Sequence, residues 1–146
     1  MPDYAASADI LAPLAKVWAV LVDVERWPEW TPTVTRAERL EPGPLALGTP
    51  TRPASCTRIA QPKLRPAVWR VTQLDREKGI FVWQSRASGI TVSAGHFVEP
   101  TSSGCRATLT IEFSGLLAPL VRLRLGRLTR QYIHTEANSL KAHCEA

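Results

Sequence analysis

The sequence predicts an α+β domain in which about six or seven antiparallel strands bend around a long C-terminal helix, with two short helices after the first strand. Three observations predict it. Residues 67 to 113 fall into short alternating runs separated by tight turn signals, the pattern of an antiparallel meander with one wet face. From Leu116 to about His143 the apolar period becomes helical. Ahead of the meander, Ala12 to Pro32 reads APLAKVWAVLVDVERWPEWTP and holds three of the chain's five tryptophans.

Tyr4 to Leu11 alternates loosely and is the first strand. Pro13 needs no backbone donor and pre-sets φ for a first helical turn. Val17, Trp18, Leu21 and Val22 then fall on one side of a helix. Pro28 disfavours helical geometry at Trp27, so the helix is expected to stop before Trp27 and a short second helix to begin at Pro28. That break projects Trp27 and Trp30, which either line a cavity or fill a core. Val34 to Leu40 is a second strand, closed by the turn Glu41-Pro42-Gly43-Pro44. Pro50, Pro53, Pro62 and Pro66 exclude central ladder positions, and within Leu47 to Pro66 only Ser55 to Gln61 reads as a strand. The proline-rich residues 50 to 60 are either a bulged edge or an extra loop. Ala67 to Leu74, Ile80 to Arg86, Ile90 to Glu99 and Cys105 to Phe113 complete the sheet. On the last helix Leu117, Val121, Leu125, Leu128 and Tyr132 form one apolar stripe. Ile133, Ala137, Leu140 and Cys144 form a second, rotated one; Gly126 between them either bends the helix or is held straight by tertiary packing. Arg122, Arg124, Arg127 and Arg130 occupy more than one angular sector, which favours a solvated helix face; the alternative is an anionic ligand or lipid surface.

A length of 146 residues fits one domain spanning 1–146. The 45% hydrophobic and 21% charged content is that of an ordinary soluble protein. The net charge of +5 is dispersed, with no aromatic-interleaved basic stripe, which argues against nucleic acid. No basic–apolar leader and no run of about 18 apolar residues is present, so neither a signal peptide nor integral membrane contact is expected. Cys56, Cys105 and Cys144 lie outside any CxxC pattern, which fits a reduced, cytoplasmic setting. No ligand spacing suggests a metal, and no motif suggests a cofactor.

Several side chains are candidates for a site. His96 shares a strand face with Ile90, Val92, Ala94 and Val98. On such a face it is either a general base or hydrogen-bond donor in a pocket, or a satisfied core histidine. Phe81 and Trp83 share a face, and Trp69 joins them, as walls for a flat ligand or as core. Tyr132 carries a hydroxyl on the apolar stripe beside Leu128, for a ligand or for a backbone carbonyl. His96 and Tyr132 are the weak catalytic candidates; no carboxylate is placed by the sequence to orient the imidazole.

The order of elements, with an I-x-A-P-x-x-x-V-W-x-x-L-x-D opening (Ile10, Ala12, Pro13, Val17, Trp18, Leu21, Asp23), resembles the START-related helix-grip superfamily. Trp27, Pro28 and Trp30 match the W-P-x-W that commonly follows, and the polyketide cyclase/dehydrase-like branch is the nearest in pattern. Gly48-Thr49, the QPKLRPAVWRVTQL run, Phe81-Val82-Trp83, Gly95-His96 and the terminal helix extend the resemblance over nearly the whole chain. One departure is TPTRPASCTRIA, longer than in relatives and carrying two prolines. The resemblance implies a helix-grip fold with a cavity between sheet and terminal helix. It further implies a hydrophobic, lipid-like or polyketide-like small molecule in that cavity, bound by Trp27, Trp30, Trp69, Phe81, Trp83, His96, Leu128 and Tyr132. A carrier or binding protein is the leading expectation. A polyketide cyclase/aromatase or dehydratase is the alternative, and an interaction module with a filled cavity, with a homodimer as one form of it, is the third.

Overall fold

The computed structural model describes residues 1–146. Its seven strands are β1 (Tyr4–Ile10), β2 (Arg36–Arg39), β3 (Cys56–Ala60), β4 (Ala67–Asp75), β5 (Ile80–Ala87), β6 (Ile90–Pro100) and β7 (Cys105–Ser114). They form one antiparallel sheet in the order β1-β7-β6-β5-β4-β3-β2. The fold is the helix-grip expected: an unclosed sheet against a long C-terminal helix, α2 (Ala118–Glu145), with short helices after the first strand.

Chain order and sheet order agree except at one place. β1 lies at one edge beside β7, while β2 lies at the other. The segment joining them must therefore cross the sheet, a span of about 29 Å at ~4.8 Å per strand. It does so as helix α1 (Leu14–Val22) and a 3-10 helix (Val24–Glu29). α1 buries Val17, Trp18 and Leu21.

The break between these helices is not where Pro28 was expected to put it. It falls at Asp23 (φ −86°, ψ 67°), and Pro28 lies inside the 3-10 helix. A proline φ near −65° suits 3-10 geometry, so the ring is accommodated rather than ending the element. Trp27 helps close α1: its indole N–H donates to the Leu21 carbonyl at 3.1 Å, satisfying an acceptor that a helix end leaves unpaired.

α2 packs on β1 and β7. The inward residues there are small: Ala6, Ala8 and Ala107 are all buried, which lets the helix approach closely. Gly126 serves the same approach rather than a bend; the helix continues through it without interruption. A Cβ at position 126 would lie 2.4 Å from the Tyr4 hydroxyl oxygen, but 3.5 Å from its ring carbon. The Tyr4 ring is held in turn by Phe113, edge-on at 5.9 Å, and by Arg130 above it at 5.5 Å.

The proline-rich stretch is an irregular excursion between β2 and β3. Its only pairing is a Thr49–Arg52 bridge, and the strand that follows starts at Cys56 rather than Ser55. It is tied at its base. Buried Ser55 accepts from the Ala46 N–H at 2.8 Å, and the Glu41 carboxylate accepts from the Cys56 N–H at 2.7 Å. The other observed strand ends differ from the expected ones by at most two residues, the largest shift being the start of β2 at Arg36 rather than Val34.

Gly126→Ala is expected to lower stability in urea unfolding, because the Tyr4 hydroxyl blocks the added methyl. In a Tyr4→Phe background the same change meets only an ordinary contact. It should then stabilise by up to about 1 kcal/mol through helix propensity. Destabilisation of equal size in both backgrounds would contradict this packing account.

Candidate functional site

One helix cannot cover seven strands, and α2 leaves the concave face of β3 to β6 open. Side chains from β3 through β7 and from the first two thirds of α2 surround a cavity of about 280 Å³ there. Of its 22 lining residues, 16 are hydrophobic, so apolar burial dominates whatever it holds.

Each wall follows from strand alternation. β4 contributes Ala67 and Trp69, β5 contributes Trp83 and Ser85, and β6 contributes Ile90, Val92, Ala94 and His96. β7 adds Ile111 and Phe113. Trp69 and Trp83 sit 5.8 Å apart between ring centroids, and Trp27 reaches Trp83 at 5.2 Å from above. The three indoles, inclined to one another by 34° and 54°, make an aromatic wall of the recess. The rim is the β3–β4 loop, through Gln61, Leu64 and exposed Arg65. The proline-rich residues 50 to 60 touch the cavity only through Ile59, on β3, so the extra loop is not its cover.

Of the residues expected to bind a ligand, Trp27, Trp69, Trp83, His96 and Tyr132 line this cavity. Three do not. Phe81 is wholly buried behind the wall, stacked on His96 at 4.7 Å. Trp30 faces a separate outer cleft, stacked with His143 at 6.4 Å. Leu128 is rotated off the lining, where Leu125, Thr129 and Glu136 stand instead.

His96 is both buried and part of the lining. Its Nδ1 lies 3.0 Å from the Phe81 carbonyl, which can only accept, so Nδ1 carries the proton and Nε2 is an acceptor. Burial pushes its pKa down to about 4, against a smaller opposing effect of the Phe81 bond. The imidazole is therefore neutral across physiological pH.

Tyr132 spends its hydroxyl on the protein. It donates to the Pro62 carbonyl, latching the rim loop to α2. Of the two roles open to it from the sequence, the structure shows the backbone bond. Its oxygen keeps a lone pair for an incoming donor.

Glu136 carries the chemistry that the sequence pattern did not show. It sits one helical turn from the Ile133 position, and its carboxyl is screened from solvent in the cavity wall. The Thr33 hydroxyl donates to its Oε1 at 2.8 Å, and Thr31 is 2.9 Å from Thr33. Since Thr33 gives its proton to Glu136, Thr31 must be the donor in that second bond. Burial raises the Glu136 pKa to about 7, with the Thr33 bond pulling the other way. Glu136 is thus the one cavity group poised to exchange a proton near neutrality.

The two groups load stability with opposite signs. Glu136 ordinarily titrates near 4.5, so its native state keeps a proton that the unfolded chain releases. Its contribution is greatest below that value and is lost as pH rises through about 7. His96 ordinarily titrates near 6.5, and the folded chain refuses a proton the unfolded chain accepts. Its contribution is full above that value and is lost as pH falls towards about 4. Between these limits the two largely offset. Glu136→Gln should therefore gain about 2–3 kcal/mol over the parent protein between pH 5 and pH 8. Urea unfolding at both pH values checks it; parallel profiles would show that the carboxyl titrates normally.

This geometry has relatives. The ZhuI aromatase/cyclase from Streptomyces sp. R1128 superposes with a TM-score of 0.76 at 17% identity, covering 97% of this chain and 92% of its own. The di-domain ARO/CYC StfQ of the steffimycin biosynthetic pathway gives 0.73 at 14% identity, over 97% of this chain and 50% of its own. Ara h 8.0201 gives 0.69 at 14%, over 97% and 95%. At these identities the likeness is one of fold. No curated protein matches the chain in sequence. A family model described as polyketide cyclase / dehydrase and lipid transport does match, over residues 1–145. With the sheet, the gripped helix and the cavity in place along that same length, the chain belongs to the polyketide cyclase / dehydrase and lipid transport family.

Proposed function

We propose that the protein binds a compact, flat, hydrophobic small molecule of two or three fused rings in the cavity, and serves as its carrier. The observation that carries this reading is the recess walled by Trp27, Trp69 and Trp83 in a space of about 280 Å³. An apolar cavity of roughly 150 Å³ holds one benzene. About twice that volume suits a small polycycle and is short for a long acyl chain. The indoles pack on one another at 5.2 and 5.8 Å, so a guest lies against their cavity-facing side rather than between them, and an aromatic wall favours a planar guest through offset or edge contacts. The aromatase/cyclases among the structural neighbours support a polyketide-like compound, while the family's description covers polyketide chemistry and lipid transport alike.

Two polar groups orient the guest. His96 Nε2 accepts from a phenol or enol, and Glu136, protonated on a fraction of molecules at neutral pH, donates to or accepts from a carbonyl or hydroxyl. Arg65 at the rim favours a guest with an anionic or carbonyl-rich end.

A second reading is supported by Glu136 alone. A carboxyl poised near pH 7 inside an apolar site is suited to moving a proton to or from a carbon next to a carbonyl, the step that ring closure or dehydration needs. In that reading Glu136 is the acid–base group, and Glu136→Gln abolishes turnover while leaving binding intact.

Titration of tryptophan fluorescence with a hydroxylated anthraquinone tests the carrier reading. Saturable quenching is expected, uncompeted by palmitate, and Trp69→Ala should weaken binding roughly tenfold through lost stacking and area. Palmitate competing as strongly as the quinone, or Trp69→Ala binding unchanged, would contradict a flat guest in this recess.

A further inference from the structure

The first turns of α2 and the residues leading into it carry leucines that the fold does not bury. Leu116 is 93% exposed, Leu123 83% and Leu120 48%, in a protein whose other large apolar groups are mostly covered. Within the helix, Leu120, Leu123, Arg124 and Arg127 lie three, four and seven residues apart on one face. That face points away from Val121 and Leu125, which line the cavity from the opposite side of the same turns.

The arginines divide by partner. Arg122 is engaged by Asp3 at 2.8 Å and by the Phe113 carbonyl, and Arg130 lies over Tyr4. Arg124 and Arg127 are exposed and take part in no ion pair. Along the helix axis they stand about 1.5 and 6 Å behind Leu123 and about 6 and 10 Å behind Leu120. Leucines leading and arginines following on one face is the order that a bilayer interface takes up. Apolar side chains enter the headgroup–acyl boundary by about 5–10 Å while arginines remain at phosphate level.

We propose that the start of α2 docks on an anionic lipid surface, Leu116, Leu120 and Leu123 entering the interface and Arg124 and Arg127 pairing with headgroup phosphates. Exposed leucines beside two unpaired cations complement a surface that is apolar within and anionic at its face, which is a bilayer containing acidic lipids. The net charge of +5 adds attraction to the same surface. No helix is long and apolar enough to cross a membrane, so the contact is with the surface alone. Docking here sets the cavity wall one helix diameter from the lipid, which is where a carrier of apolar compounds would load or deliver. The docking does not depend on which compound the cavity holds.

Co-sedimentation with vesicles of phosphatidylcholine alone, or with 30% phosphatidylglycerol, tests the proposal on the full chain. Binding is expected to the anionic vesicles and to fall with added salt. Arg124→Gln with Arg127→Gln should weaken it roughly 30-fold, at about tenfold or less per arginine. Leu116→Ser with Leu123→Ser should abolish it, with the thermal midpoint unchanged because neither side chain is packed. Failure of the parent protein to sediment, or equal sedimentation of the leucine variant, overturns the proposal. So does a concentration-dependent dimer in analytical ultracentrifugation that the leucine changes dissolve, if vesicles do not bind; the tip is then a surface for a second copy.

Discussion

An α-helix is about 10–12 Å across and strands are spaced ~4.8 Å apart, so one helix shields two strands. Here one helix faces seven. Everything else follows from how that shortfall is met. α2 takes the β1–β7 edge, where alanines let it sit low, and its last turns bury Ile133, Ala137, Leu140 and Cys144 as true core. The remaining concave face is bridged by what is left: the segment crossing from β1 to β2, with Trp27 hanging beneath it, and the loop between β3 and β4. Indoles are large enough to roof a gap without closing it, which leaves a cavity rather than a packed layer.

The polar groups left in that gap sit under a common constraint. With little water to stabilise charge, His96 stays neutral and Glu136 holds its proton far above the usual carboxylate range. One buried base and one buried acid place opposite demands on the folded state as pH changes, so their effects on stability oppose each other. The threonine pair beneath Glu136 gives its carboxylate a directed donor, which keeps the group from being an unpaired buried charge. Tyr132, by contrast, is spent on holding the rim loop, and its effect on a guest is through how easily that loop moves.

The architecture was legible because its signals are periodic. Alternation located the four long strands, and the switch to helical spacing after Gly115 located α2. The misplacement of the break at Pro28 came from treating proline as a terminator; 3-10 geometry admits it, and the actual stop at Asp23 has no strong residue signature. The cavity wall was legible on the strands, where Trp69, Trp83 and His96 fall on the inward parity. It was less so on α2. An apolar stripe selects Leu128, whereas the wall contains Thr129 and Glu136, and a buried carboxylate is invisible to a pattern built on hydrophobicity. Its donor, Thr33, lies 103 residues away, a pairing no local rule contains. Whether Gly126 bends α2 or lets it approach the sheet is not decided locally, because the side chain that needs its space, Tyr4, sits at the far end of the chain.

The central claim is that the gap under the indoles is occupied by a compact planar compound rather than left empty or filled by protein. Native mass spectrometry of the protein purified gently from its source tests this most directly, beside a variant in which Ala94→Phe fills the cavity floor. A co-purifying compound of a few fused rings, present on the parent chain and absent from the variant, is the result predicted here. A bare parent chain, or a guest retained equally by the filled variant, would contradict it.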